Sequence, residues 1–230
     1  MKKLLIGLMI LFGCSVLNTT TVKAADTDAN NKFGITIDGN FDDWKNKPKT
    51  DIDFGKADDF NIKRGVLLAD QNNIYFYIDM SPKQGVGYTN LQPSGYELTV
   101  GNKAYSLTIN NALNLKTNEI RKTNINVWEH GASNAEDVGK ACLTRVSNDA
   151  LVKGGTTDKM EVMIPLSVLK VGGTTEQKIS LHNANIGKQT LTTVGGSTAP
   201  ILLAISGLAI AVLAIMKLPK VGELRKSLHE

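Results

Sequence analysis

A chain of 230 residues, 42% hydrophobic and 21% charged, holds enough material for one sizeable core. Its formal charge of +4 misleads, because residues 25–199 carry 19 Lys+Arg against 20 Asp+Glu; a near-neutral folded region excludes nucleic acid as a partner. Cys14 and Cys142 are the two cysteines, and only Cys142 falls in the region between the termini, which excludes an internal disulfide there.

In chain order, residues 1–24 come first. Lys2 and Lys3 precede an apolar run from Leu4 to Leu17, and Val22-Lys23-Ala24-Ala25 closes the segment with small residues. A charged start, a short apolar middle and a small-residue exit predict a secretory signal peptide cleaved after Ala24. The run is too short for a membrane span, which needs about 20 residues. Leu11-Phe12-Gly13-Cys14 resembles a lipobox, so lipidation of Cys14 is the alternative processing route. Residues 25–33 are polar and read as a flexible leader.

From 34 to 185, short alternating apolar runs are separated by Gly, Asn and Asp clusters. Runs at 65–69, 74–80, 96–100, 104–109, 125–128, 159–164 and 178–182 are rich in β-branched and aromatic residues with a period of two, and predict strands. Residues 70–73 and 100–103 read as hairpin loops. Many short strands and no long helical periodicity predict an all-β, antiparallel β-sandwich ectodomain. Residues 186–198 are small and polar and read as a flexible linker ending in Gly195-Gly196-Ser197-Thr198. Residues 199–218 follow with sixteen uncharged residues in a row, Ile201 to Met216, then Lys217. With no polar face at helical spacing, this segment predicts one transmembrane helix. The basic tail, 219–230, places the C-terminus in the cytoplasm, consistent with an exported N-terminus and localisation at the extracellular face of the cell membrane.

The run Ile35-Thr-Ile-Asp-Gly-Asn-Phe-Asp-Asp-Trp44 resembles the opening of family 9 carbohydrate-binding modules and DOMON-like sandwiches. The likeness continues through Val66–Asp70, Asn73–Met80 and Glu161–Leu169, covering about 34–185. It implies a sandwich fold, in a superfamily that hosts sugar binders, haem binders and enzyme appendages. The tail resembles the C-terminal sorting signals called Firmicu-CTERM of Gram-positive bacteria. That likeness implies processing near Gly195, Gly196, Ser197 and Thr198 by an exosortase-like membrane transpeptidase, with simple membrane anchoring as the alternative.

Three ligand chemistries follow as expectations. For a polysaccharide, Trp44 and Trp128 offer stacking faces, and Tyr88, Asn90, Gln92 and Tyr96 form a polar-aromatic loop able to hydrogen-bond hydroxyls. For calcium, seven aspartates crowd positions 38–59; Asp38, Asp42 and Asp43 are the ligand candidates, although the spacing is not that of an EF-hand. For haem, in an electron-transfer reading, Met80, His130 and His182 are the axial candidates. A nucleophile elbow, a zinc-binding histidine cluster and a phosphate loop are all missing from the sequence, so the expected protein is non-catalytic. The leading expectation is a surface-displayed binding module for polysaccharide. A haem-binding sandwich and a purely structural surface protein are the alternatives.

Overall fold

The computed structural model describes residues 31–55, 60–83, 91–132, 136–171 and 176–196. The expected signal segment with Cys14 and Ala24, the loop residues Tyr88 and Asn90, and Ser197, Thr198 and the expected membrane helix lie outside them. Ten strands form: β1 (Thr50–Ile52), β2 (Asn61–Ala69), β3 (Asn73–Pro82), β4 (Tyr96–Val100), β5 (Lys103–Ile109), β6 (Glu119–Glu129), β7 (Glu136–Ser147), β8 (Thr156–Pro165), β9 (Gln177–His182) and β10 (Leu191–Gly195). A short 3-10 turn, Phe41–Trp44, precedes them.

The all-β, antiparallel expectation holds. All ten strands join one continuous sheet, in the order β1-β2-β3-β8-β7-β6-β5-β4-β9-β10. The sheet curls until its ends nearly meet. From β2 to β10 there are nine strands, each antiparallel to the next, and an odd ring of antiparallel strands can close only on a parallel pair. The close approaches run that way: Gly65 lies against Leu191, and Ala69 lies against Gly195. Parallel pairing is slightly weaker per residue, and the seam is reinforced from outside the strands. The Gly196 N–H donates to the Asp70 carbonyl at 3.0 Å, and the Lys188 N–H donates to the Asp53 carbonyl at 2.9 Å. The Gln189 side chain accepts from the Asp53 N–H at 2.8 Å.

Leu191–Gly195 falls within the segment expected to be a flexible linker, and here the structure corrects the reading. Leu191-Thr-Thr-Val-Gly195 pairs with β9 throughout, Leu191 with Leu181 and Gly195 with Gln177. A side chain at Gly195 would place its Cβ 2.5 Å from that of Ala69, so glycine there permits close approach at the seam. Gly195 and Gly196, expected at a processing site, therefore belong to the barrel wall.

The interior is filled by the alternate residues of every wall. Phe76 on β3 and Tyr96 on β4 sit five places apart in the strand order, yet their rings lie 5.8 Å apart. Opposite halves of the sheet thus pack face to face. Leu98, Leu107, Ile109, Ile125, Leu143, Met160, Val162, Ile164 and Ile179 complete a core with almost no exposure. Strand β3 is buried on both faces along its whole length. Its outer residues Tyr75 and Tyr77 carry a second, smaller cluster with Ile35, Trp44 and Val66, formed because residues 31–49 lie as a strap across β2, β3 and β8.

Candidate functional site

The strap is fixed by one buried carboxylate. On β8, even-numbered residues face the core, and Glu161 faces out beneath the strap, where it is fully buried. Its Oε1 accepts the Asp38 N–H at 2.8 Å and the Gly39 N–H at 2.7 Å, and its Oε2 accepts the Trp44 indole N–H at 2.9 Å. Gly39 can present its N–H because φ is +93°, a conformation that glycine adopts freely; its Cα also faces Ile120 and Cys142 too closely for a Cβ. Burial raises the Glu161 pKa above its ordinary value, and the three donated hydrogen bonds partly oppose that. Burial, with Glu161 nearby, pushes the adjacent Cys142 thiol up to about 11.

This geometry changes the standing of several expected ligand residues. Trp44 is wholly buried, stacked on Tyr77 at 5.4 Å, so it presents no face to a sugar. Tyr96 is buried too: it starts β4 pointing inward, and its hydroxyl donates to the Leu91 carbonyl. Of the expected polar-aromatic loop, Gln92 remains partly exposed ahead of β4. Both aromatics are core residues because their positions fall on inward- or strap-facing sites, which strand periodicity alone does not reveal.

The three aspartates expected to bind calcium are each occupied elsewhere. Asp38 accepts from the Asn40 N–H, Asp43 accepts from the Thr36 N–H, and Asp42 pairs with Lys45 at 2.9 Å. Among the described residues, no group of three or more His, Cys, Asp or Glu converges to hold a metal. The haem candidates are likewise dispersed. Met80 is inside the main core, His130 hydrogen-bonds Ser106 at 3.0 Å, and His182 hydrogen-bonds the Gln189 carbonyl at 3.1 Å.

Trp128 is different. In β6 the odd residues Ile125 and Val127 enter the core, so Trp128, Asn126 and Asn124 face out, and Trp128 remains partly exposed. Register places Trp128 beside Ser106, Ser106 beside Glu97 and Glu97 beside His182, a row crossing four strands on the outer face. The next row begins with Thr108 beside Asn126. Rows lie ~7 Å apart and strands ~4.8 Å apart, so these groups are neighbours on the convex outer face of the curled sheet. The hydroxyls, amide, imidazole and carboxylate offer both donors and acceptors around one indole. None of Glu97, Ser106, Thr108 or Asn126 was singled out by sequence. Their alternation marks them as outward-facing, but only register makes them neighbours.

A cleft of about 410 Å³ opens at the other end of β6. Phe41 and Tyr77 line one wall and Ile120 and Val146 another, with Asn40, Asn118 and Thr144 between and Lys45, Lys49 and Lys159 at its rim. The Lys49 ammonium lies 5.4 Å from the Tyr77 ring centre, and that of Lys159 lies 5.5 Å from Phe41. Compared with protein-family models, curated proteins and solved structures, the chain matches none.

Proposed function

We propose that this protein is a non-catalytic polysaccharide-binding module displayed on the outside of a Gram-positive cell, with the outer face around Trp128 as its binding surface. The observation that carries the reading is Trp128 itself, a partly exposed indole set in a row with Ser106, Glu97 and His182 on a rigid sheet. An aromatic face stacks on the C–H surface of a pyranose while flanking polar groups bond the hydroxyls. Mounting these groups on paired strands rather than loops limits the entropy lost on binding. Kinship with the sandwich of family 9 carbohydrate-binding modules and DOMON-like domains belongs to this proposal and rests on the run Ile35–Trp44 and its continuation to Leu169. Export by residues 1–24 and retention by residues 199–218, as an anchor or a sorting signal, belong to the same proposal and rest on hydropathy and charge.

Affinity electrophoresis of the purified chain in gels containing soluble plant and bacterial polysaccharides tests the reading. Retardation by at least one polymer, weakened about tenfold in Trp128→Ala with an unchanged melting temperature, supports it. Equal retardation of wild type and Trp128→Ala refutes the assigned surface, and retardation by no polymer returns the protein to the structural alternative.

A further inference from the structure

We infer that the polysaccharide this protein binds is anionic, and that the lysine-rimmed cleft at the Glu119 end of β6 receives its charged groups. This inference rests on the polysaccharide reading above and adds to it a substrate class and a second subsite. The two surfaces are joined by one strand. Ile120, which lines the cleft, and Trp128, on the outer face, lie on the same side of β6 eight residues apart, about 27 Å at the rise of a strand. The residues between them on that side, Lys122, Asn124 and Asn126, are exposed or partly exposed, so an extended polymer can run from one surface to the other without crossing an obstacle of buried chain.

The cleft carries more positive charge than its own carboxylates neutralise. Asp42 is paired with Lys45, and Glu119 is paired with Arg121 at 2.6 Å. Asp79 is shared by Arg64 at 3.1 Å and Lys49 at 3.9 Å, leaving one carboxylate between two cations. Lys159 makes no ion pair among the described residues and lies over Phe41 instead. Glu161 is sealed under the strap with its oxygens filled by three N–H donors, and on the strap itself Asp38 and Asp43 accept backbone N–H groups. Asp137, exposed beside Asn126, opposes the trend further along, against Lys122 and Lys140 on the same path. Lys45, Lys49 and Lys159 thus line the cleft against Asp42 and Glu119, with Lys159 as the surplus cation and Lys49 sharing Asp79 with Arg64.

The remaining lining fits a sugar better than a bare ion. The Asn40 amide NH2 and the Asn118 side chain can serve ring hydroxyls, and the partly exposed Phe41 ring and exposed Ile120 supply apolar surface. A volume of about 410 Å³ lies within the usual range of saccharide-sized and drug-sized sites, roughly 300–1,000 Å³. Solvent-exposed charge pairs contribute little each, so two lysines amount to about a tenfold preference for an acidic chain over a neutral one, and that preference is screened by salt.

Titration calorimetry with the full chain distinguishes the possibilities, using polygalacturonate, its fully methyl-esterified neutral form and poly(glycerol phosphate). The expected result is about tenfold tighter binding of at least one anionic polymer than of the neutral one, falling as NaCl is raised from 50 to 500 mM. The double variant Lys49→Gln/Lys159→Gln should lose the preference, binding acidic and neutral polymers with equal affinity. The carboxylated and phosphorylated arms show which anion is taken. Equal affinity for acidic and neutral polymers overturns the inference while leaving the polysaccharide reading intact, as does a preference that survives the double variant. Binding of no polymer overturns both.

Discussion

Replacing Glu161 with Gln tests whether the strap is held by the carboxylate. Glu161 accepts three hydrogen bonds: two from partly buried backbone N–H groups on one oxygen and one from the buried Trp44 indole on the other. A glutamine has one acceptor oxygen. If it serves the two backbone groups, its NH2 faces the buried indole N–H, donor against donor; if it serves the indole, two backbone donors are orphaned. One buried unsatisfied donor costs about 1–3 kcal/mol, and the lost charge assistance is partly offset because the carboxylate no longer has to be desolvated. We expect a net loss of about 2 kcal/mol, equivalent to a melting temperature about 4–8 °C lower for a domain of this size. The assay is thermal unfolding followed by tryptophan emission in a Trp128→Phe background, where Trp44 alone reports and should redden as the strap lifts. The pH dependence has a definite sign. Burial raises the folded-state pKa of Glu161 above its ordinary 4.5, so the folded chain holds that proton more tightly than the unfolded chain. Its contribution to stability is therefore largest below pH 4.5 and declines as pH rises through the raised value. Glutamine has no such dependence, so the gap between wild type and variant should narrow from pH 4.5 to pH 7.5. A variant melting within 1 °C of wild type at every pH would refute the clasp.

Two further outcomes follow from the packing. Arg145 spans the end of the barrel, donating to both oxygens of the buried Asp158 at 2.8 and 2.7 Å and to the Leu115 carbonyl at 2.9 Å; Arg145→Met leaves a buried carboxylate unpaired and should cost about 3–5 kcal/mol by urea unfolding. Burial already raises the Asp158 pKa more than Arg145 lowers it, so the variant should recover stability on acidification, and a variant equally unstable from pH 4 to pH 8 would contradict this account. Gly195→Ala forces a methyl against Ala69 at the seam and should cost about 1–3 kcal/mol, with faster hydrogen exchange of the Gly196 amide as the specific sign; unchanged exchange there would mean that the sheet ends are not joined as described.

Much of the wall was legible in the sequence, and little of the site was. Seven of the ten strands are visible as alternating runs because each has a dry face and a wet or strap-covered face. Three were missed for separate reasons. Thr50–Ile52 is too short to show a period, Glu136–Ser147 mixes charge and small residues, and Leu191–Gly195 has the composition of a linker. That last strand forms because β9 offers an unpaired edge and Ala69 leaves room for a glycine, which are facts about distant residues. Glu161 read as part of a strand only. Its role as an acceptor for Asp38, Gly39 and Trp44, more than a hundred residues away, has no local signature.

What the sequence determined by itself is what depends on local order: the strand runs, the hairpins at 70–73 and 100–103, and the near-neutral charge between the termini. What only the tertiary structure decided is which side chains meet. It buried Trp44 and Tyr96, gave the aspartates at 38, 42 and 43 to separate partners, and set Trp128 beside Ser106 at one end of β6 with the lysine-rimmed cleft at the other. The physical reason is that strand periodicity fixes the face on which a residue lies, whereas its neighbours on that face are set by register and by the closure of the sheet.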